Sequence, residues 1–341
     1  MQNTPNNPLF NDRYREKLFT ALRLIILAAV VWFVVQALQQ HRTGLLDIWQ
    51  YAQASLTTGG ICLLLLVLAL TLLNWSLEAL KWQALAAKIQ PIHFREAFRG
   101  VLAGLSLNFA TPASLGDYAG RIWNLKGDRR LENLGAIVLG NGVQFYVSLL
   151  GGTLAYGYFL GNVLPDSTAG HWVLLALLLA ALVGGVWIAG RREAVPALFN
   201  RFSWLRPYGR FFRVMAQYSP REMARILGWA TLRYAVFTVQ FLLVLDIFGI
   251  PLPMADRLCV VSLVFFAKTA IPAFHFLSDL GVREFTALYF FGFYNVAPEA
   301  VVSATLTLWF VNILLPVGVG TVWLLRMRFG PAPVAQPITS E

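Results

Sequence analysis

The sequence predicts an all-α polytopic membrane protein with about six full transmembrane helices, two re-entrant helical hairpins and an inverted repeat; eight full spans is the alternative count. Three observations predict it. Of 341 residues, 57% are hydrophobic and only 13% charged, where soluble domains carry about 25% charged residues. The apolar residues form continuous runs, such as residues 61–68, of the kind that builds helices of about 20 residues across a bilayer and unlike the alternating strands of a barrel. Two of the runs are cut short by Pro112 and Pro272 and followed by charged residues.

Residues 1–17 are polar and read as a cytoplasmic tail; residues 18–326 read as a single membrane domain. The first span covers 18–38. Its apolar stretch follows Arg23 like a signal peptide, but Gln39, Gln40, His41 and Arg42 offer no small-residue cleavage site, so it reads as uncleaved. Residues 45–56 suit an interfacial helix. The second span, 60–87, ends in Trp75, Glu78, Lys81 and Trp82, which suit the headgroup level, with Glu78 and Lys81 as an interfacial pair. The stretch 95–110 is short, is broken at Thr111 and Pro112, and is followed by 114–125 with Asp117 and Arg121; 95–125 is the first hairpin. Spans at 134–160 and 172–189 complete the first half, 18–190.

A basic connector, 191–225, holds eight arginines interleaved with aromatics. That pattern suits an amphipathic segment on anionic headgroups and favours membrane over nucleic acid. The second half, 226–326, opens with a span at 226–248 that contains Arg233. The broken pattern then returns at 258–293, where Pro272 and Gly281 interrupt the chain and Asp279, Arg283 and Glu284 follow the break. The last span is 300–325, and 327–341, with three prolines, reads as a disordered tail.

Charge sets the topology. Lys and Arg cluster at 13–23, 88–99, 121–130 and 191–225, whereas 161–170 and 292–298 have none. If 95–125 enters and leaves on one side and 258–293 on the other, every basic cluster falls on the cytoplasmic side, as the positive-inside rule requires, and both termini are cytoplasmic. This places the chain in a bacterial inner membrane. Paired, Pro/Gly-interrupted short helices in two halves point to an inverted repeat with a site at its interface.

Ionisable groups inside a membrane are costly and mark cavities or partners. Asp117 and Arg121 share a helix face, four apart; Asp279 stands four before Arg283; Arg283 and Glu284 are adjacent and point in different directions. Local neutralisation, Asp117 with Arg121 and Asp279 with Arg283, is one reading. The other is a polar cavity for a phospholipid or polyprenyl-phosphate headgroup, in which arginines clamp phosphate. Asn108 precedes the first break, beside Pro112 and Gly116. Gly100 and Gly104 suit close helix packing. Arg233 and Lys268 either snorkel or line the cavity. His93 and His275 are isolated, Cys62 and Cys259 read as packing residues, and no nucleotide loop, zinc pattern or serine triad is present, so no metal or cofactor is expected.

Asn108, Pro112, Leu115-Gly116-Asp117 and Arg121, then Pro272 and Leu280-Gly281-Val282-Arg283-Glu284, resemble the lysylphosphatidylglycerol synthase transmembrane region family, as do Asn74-Trp75 and Lys81-Trp82. The resemblance covers about residues 18–326. Two departures stand out. Asp117 occupies the place of a usual Glu, and Phe274 to Asp279 replace a usual Gly-rich stretch. The resemblance implies lipid translocation by a membrane region that lacks the soluble synthase domain, hence no enzyme activity, with Asn108, Asp117, Arg121, Asp279, Arg283 and Glu284 as substrate-binding residues. A membrane enzyme or accessory subunit acting on a lipid-linked sugar, beside a glycosyltransferase or lipid-synthesis partner, is the alternative.

Overall fold

A computed structural model describes residues 45–55, 57–110, 115–122, 130–191, 193–194, 201, 215–271 and 281–326. The predicted first span, Pro112, Pro272, Asp279, most of the basic connector and both tails lie outside these residues. Among the described residues all regular structure is helical: α1 (Leu45–Ser55), α2 (Thr58–Ala86), α3 (Phe94–Ala110), α4 (Leu115–Ile122), α5 (Arg130–Asn162), α6 (Ala169–Gly190), α7 (Pro220–Ile247), α8 (Met254–Ala270), α9 (Arg283–Gly292), α10 (Pro298–Trp309) and α11 (Leu315–Arg326), the last two joined by a π segment at Phe310–Leu314.

Five stretches are long and apolar enough to cross a bilayer: Thr58–Ala86, Asn133–Asn162, Ala169–Gly190, Pro220–Ile247 and Pro298–Leu325. Each coincides with a predicted span. One boundary moves. Helix α7 begins at Pro220, inside the expected connector, because Ser219 and Glu222 form a capping box and Pro220 supplies a preset first helical residue.

The ends of the bundle are tied by polar contacts. At one end, where α2 finishes and α7 begins, Lys88 pairs with Glu222 at 2.8 Å and the Tyr218 hydroxyl donates to Leu85 O at 2.6 Å. At the other, Tyr158 and Tyr294 both donate to Asp256 Oδ1, at 3.1 and 3.0 Å, and Arg257 pairs with Asp246. Burial, then the hydrogen bond to Asp256, holds the Tyr294 hydroxyl above its ordinary pKa and keeps it a donor. The basic residues Arg95, Arg99, Arg191, Arg221 and Arg225 belong to the first end; Asp166, Asp246, Asp256 and Glu299 belong to the second.

Helices α3 and α4, of 17 and 8 residues, fold back on each other. A Cβ on Gly120 would lie 2.1 Å from Gly104 N, and one on Gly116 would lie 2.1 Å from the Leu107 carbonyl carbon. Later residues of α4 thus meet earlier residues of α3, which makes the pair antiparallel with backbones in contact, an approach only glycine permits. Helices α8 and α9 form the corresponding pair: Asp256, near the start of α8, meets Tyr294, just past the end of α9.

The core of the described residues has two large clusters and a small one around Phe159 and Cys259. One large cluster gathers Val67, Phe241, Val244, Val260, Val264, Phe291 and Leu308; the other gathers Trp75, Trp82, Leu85, Val101, Ile137 and Ile226. Helix α2 packs along α7 at the centre; α3 rests on α2 and α11, and α8 rests on α7 and α5. Helix α6 turns Trp172, Leu177 and Val183 outward, as lipid allows. The π segment has a covalent cause. Pro316 has no N–H to offer the carbonyl four residues back, and that carbonyl, Asn312 O, instead accepts from Trp75 Nε1 at 3.0 Å.

Candidate functional site

The site is built on one face of α2. Thr71, Asn74, Glu78 and Lys81 recur at helical spacing and all turn inward; Glu78 and Lys81 are 3% and 1% exposed. Glu78 is the hub. Lys81 Nζ lies 2.7 Å from its Oε2, Arg121 Nη1 lies 3.0 Å from its Oε1, and Arg233 Nη1 lies 3.4 Å from its Oε2. Arg121 Nε also donates to Asp117 Oδ1 at 2.7 Å. Gln144 on α5 accepts from both Lys81 and Arg233 through Oε1, each at 3.4 Å, while its Nε2 donates to Ala230 O. Two indoles form the walls, Trp82 with the Arg121 guanidinium at 5.7 Å and Trp75 with that of Arg233 at 5.4 Å.

Among the described residues five charged groups from α2, α4 and α7 therefore meet: three cations against two carboxylates, an excess of one positive charge. Unpaired buried charge is costly, so such a cluster persists only with dense mutual hydrogen bonding. Among the described residues Arg233 Nε nevertheless has no hydrogen-bond partner.

The expected Glu78–Lys81 pair forms, and it is buried within the protein. Helices α3, α4, α5 and α7 enclose that turn of α2, and the charges are met by protein groups rather than water. The Asp117–Arg121 pairing is present, and Arg121 extends it to Glu78. Arg233 lies in the cluster. Asn108 lies where Gly116 presses on the backbone of α3, with its buried Oδ1 unpartnered.

The second hairpin carries a separate pair. Arg283 Nη2 and Nε donate to Glu284 Oε1 at 3.0 and 3.3 Å, both side chains buried. The expectation that these neighbours point apart is corrected: at the first turn of a helix the long guanidinium curls back to the adjacent carboxylate. Arg283 Nη1 remains without a partner. Gly281 immediately precedes this turn, and Lys268 lies with its ammonium 6.0 Å from the Phe237 ring. Pro112, Pro272 and Asp279 fall outside the described residues.

Beside Glu78 is an amide cluster of which sequence reasoning named only Asn74, as part of the family resemblance. Asn312 Oδ1 accepts from Thr71 Oγ1 at 3.3 Å and Asn74 Nδ2 at 3.4 Å, and Gln240 Nε2 donates to Thr71 Oγ1 at 2.8 Å. Asn74, Gln240 and Asn312 are fully buried, and each retains one unpartnered polar atom. Gln144 was missed as well. The available signal was the same for all: polar side chains inside otherwise apolar spans. Among the described residues no group of His, Cys, Asp or Glu is arranged to hold a metal.

In comparison with known families, the family model described as lysylphosphatidylglycerol synthase TM region matches residues 20–320. A search of curated proteins finds no match.

Proposed function

Because the chain belongs to the lysylphosphatidylglycerol synthase TM region family, whose members are membrane proteins of lipid handling, we propose that it translocates a lipid across a bacterial inner membrane, passing a phospholipid, glycolipid or polyprenyl-phosphate headgroup between two re-entrant hairpins. The carrying observation is the Glu78–Lys81–Asp117–Arg121–Arg233 cluster, with one positive charge in excess and an Arg233 N–H unpartnered among the described residues. A lipid phosphate is the complementary ligand, since charge-assisted hydrogen bonds to guanidinium are strong and directional. Asn74, one turn before Glu78 on α2, with Gln240 of α7 and Asn312 of the π segment beside it, offers both donors and acceptors to a headgroup hydroxyl.

Helix order supports the hairpin reading. Helix α2 delivers the chain to the basic end, α3 leaves from there, and α4 turns back toward it; α7 delivers the chain to the acidic end, from which α8 leaves and to which α9 returns. Packing is reciprocal as well: the first hairpin rests on α11 of the second half, and the second rests on α5 of the first. That reciprocity favours an inverted repeat, with the basic end cytoplasmic. In this reading the chain catalyses no lipid synthesis itself. Arg283 and Glu284 form the mirror-side counterpart of the cluster, and a lipid-synthesis partner or glycosyltransferase supplies the cargo.

The test is reconstitution into vesicles containing fluorescent phosphatidylglycerol, with scrambling followed by quenching of the outer leaflet. Wild type should move the lipid. Arg233→Gln should slow it about tenfold to a hundredfold, as loss of a charge-assisted hydrogen bond of about 1.5–3 kcal/mol implies. Movement no faster than in protein-free vesicles, or undiminished in Arg233→Gln and Arg121→Gln, would overturn the proposal.

A further inference from the structure

A second feature lies on the far side of α5 from the ion cluster. Helices α5, α6 and α7 enclose a groove of about 560 Å³, within the range of about 300–1,000 Å³ typical of ligand sites. Its walls are apolar, with Leu139, Val143, Val186, Ile188, Met223 and Leu227 among them. Its deep end is closed where Tyr146 packs on Gly185 and its hydroxyl donates to Leu182 O at 3.0 Å.

The other end opens toward the basic end of the bundle. There Arg191 follows the wall residues Ile188 and Ala189 by less than a turn, and Arg221 and Arg225 flank the wall residues Met223 and Ala224. All three arginines are exposed. Glu222, in the same turn, is engaged by Lys88 at 2.8 Å. The Arg191 guanidinium lies 5.8 Å from the Trp187 ring, an arrangement of indole and cation suited to the headgroup level.

We infer that this groove seats one acyl chain of an anionic glycerophospholipid from the leaflet at the basic end, with its phosphate held at Arg191, Arg221 and Arg225. Apolar walls match the chain, a closed end sets its depth, and cations at the mouth match the phosphate. The seat also adjoins the ion cluster: Leu139 and Val143 pack against the shell that contains Trp82, and Gln144 follows Val143. This inference does not require translocation.

Photolabelling of the full chain in nanodiscs tests it, using phosphatidylglycerol with a diazirine in one acyl chain and peptide mapping by mass spectrometry. Label should concentrate on the groove faces of α5 and α7 above the outward residues Val173 and Leu177 of α6. Gly142 lines the groove with nothing within 4 Å of an added Cβ, so Gly142→Phe fills it from within. That variant should lose groove labelling about tenfold, the change expected when roughly two methylenes lose their seat. Ala224→Phe serves the same purpose should the first variant unfold. Arg191→Gln with Arg225→Gln should lower labelling by phosphatidylglycerol and leave labelling by a diazirine diacylglycerol unchanged. Uniform labelling of lipid-facing helices, insensitivity to both Phe variants, or equal capture of the charged and uncharged probes by wild type would overturn it. Groove labelling without lipid movement would overturn the translocator reading alone; movement without groove labelling would overturn this one alone.

Discussion

Glu78 occupies the position on which the local electrostatics turn. Its two oxygens face Lys81, Arg121 and Arg233, and only Asp117 shares the task of balancing them. Removing one carboxylate leaves three cations, two of them buried, against one carboxylate, and breaking a buried pair in this way costs about 3–5 kcal/mol. Glu78→Gln should therefore lower the thermal midpoint of the purified protein markedly, and Glu78→Gln combined with Lys81→Met should recover much of the loss, because the excess cation goes with it. A Glu78→Gln protein as stable as wild type would show that the cluster is solvated and would remove the reason for treating it as a buried site. The sequence made Asp117, Arg121 and Arg233 legible because a charge inside an apolar run stands out. It paired Glu78 with Lys81 without revealing their burial, because a charge near the end of a long span looks interfacial when the enclosing helices are unknown. Gln144, Gln240 and Asn312 were passed over because a neutral amide interrupts hydropathy less than a charge does.

Helix boundaries were legible to within a few residues wherever an apolar run met a turn signal, as at α2, α6 and α8. The π segment was not anticipated, although Pro316 inside the last span was the signal: it frees Asn312 O, and Trp75 takes that acceptor. Gly100 and Gly104 were read as packing residues. The structure adds their counterparts, Gly116 and Gly120, which make α3 and α4 one unit. Space separates the glycines in kind. A Cβ at Gly120 would collide with the Gly104 backbone at 2.1 Å, whereas one at Gly142 meets nothing within 4 Å. Gly120→Ala should thus destabilise by about 1–3 kcal/mol or more, the cost of overpacking against backbone, while Gly142→Ala should be neutral or slightly stabilising through helix propensity. Unfolding midpoints of the two variants measured side by side check this, and equal midpoints would mean that α3 and α4 do not pack at backbone distance.

At the scale of the whole molecule, hairpins and full spans make opposite statements about which loops share a face. If 95–125 dips in and out, α5 is the one crossing between Gln90 and Asp166, and these residues lie on opposite sides. If 95–125 crosses once, they lie on the same side. The structure supports the first arrangement: Lys88 meets Glu222 at the end where α7 starts, and α5 runs from that end to the one where Tyr158 meets Asp256. Charge agrees, because Arg95, Arg99 and Arg221 lie at the first end and Asp166 and Asp256 at the second, as a cytoplasmic and an outer face require. Single cysteines at Gln90 and Asp166, in a background with Cys62→Ala and Cys259→Ala, separate the two counts with a membrane-impermeant maleimide. Asp166→Cys should label in intact cells, and Gln90→Cys only after permeabilisation. Labelling of both in intact cells would replace the hairpin by a single crossing. The antiparallel α3–α4 pair would then need to rearrange in the membrane, and the inverted repeat, which depends on hairpins from opposite faces, would fail with it.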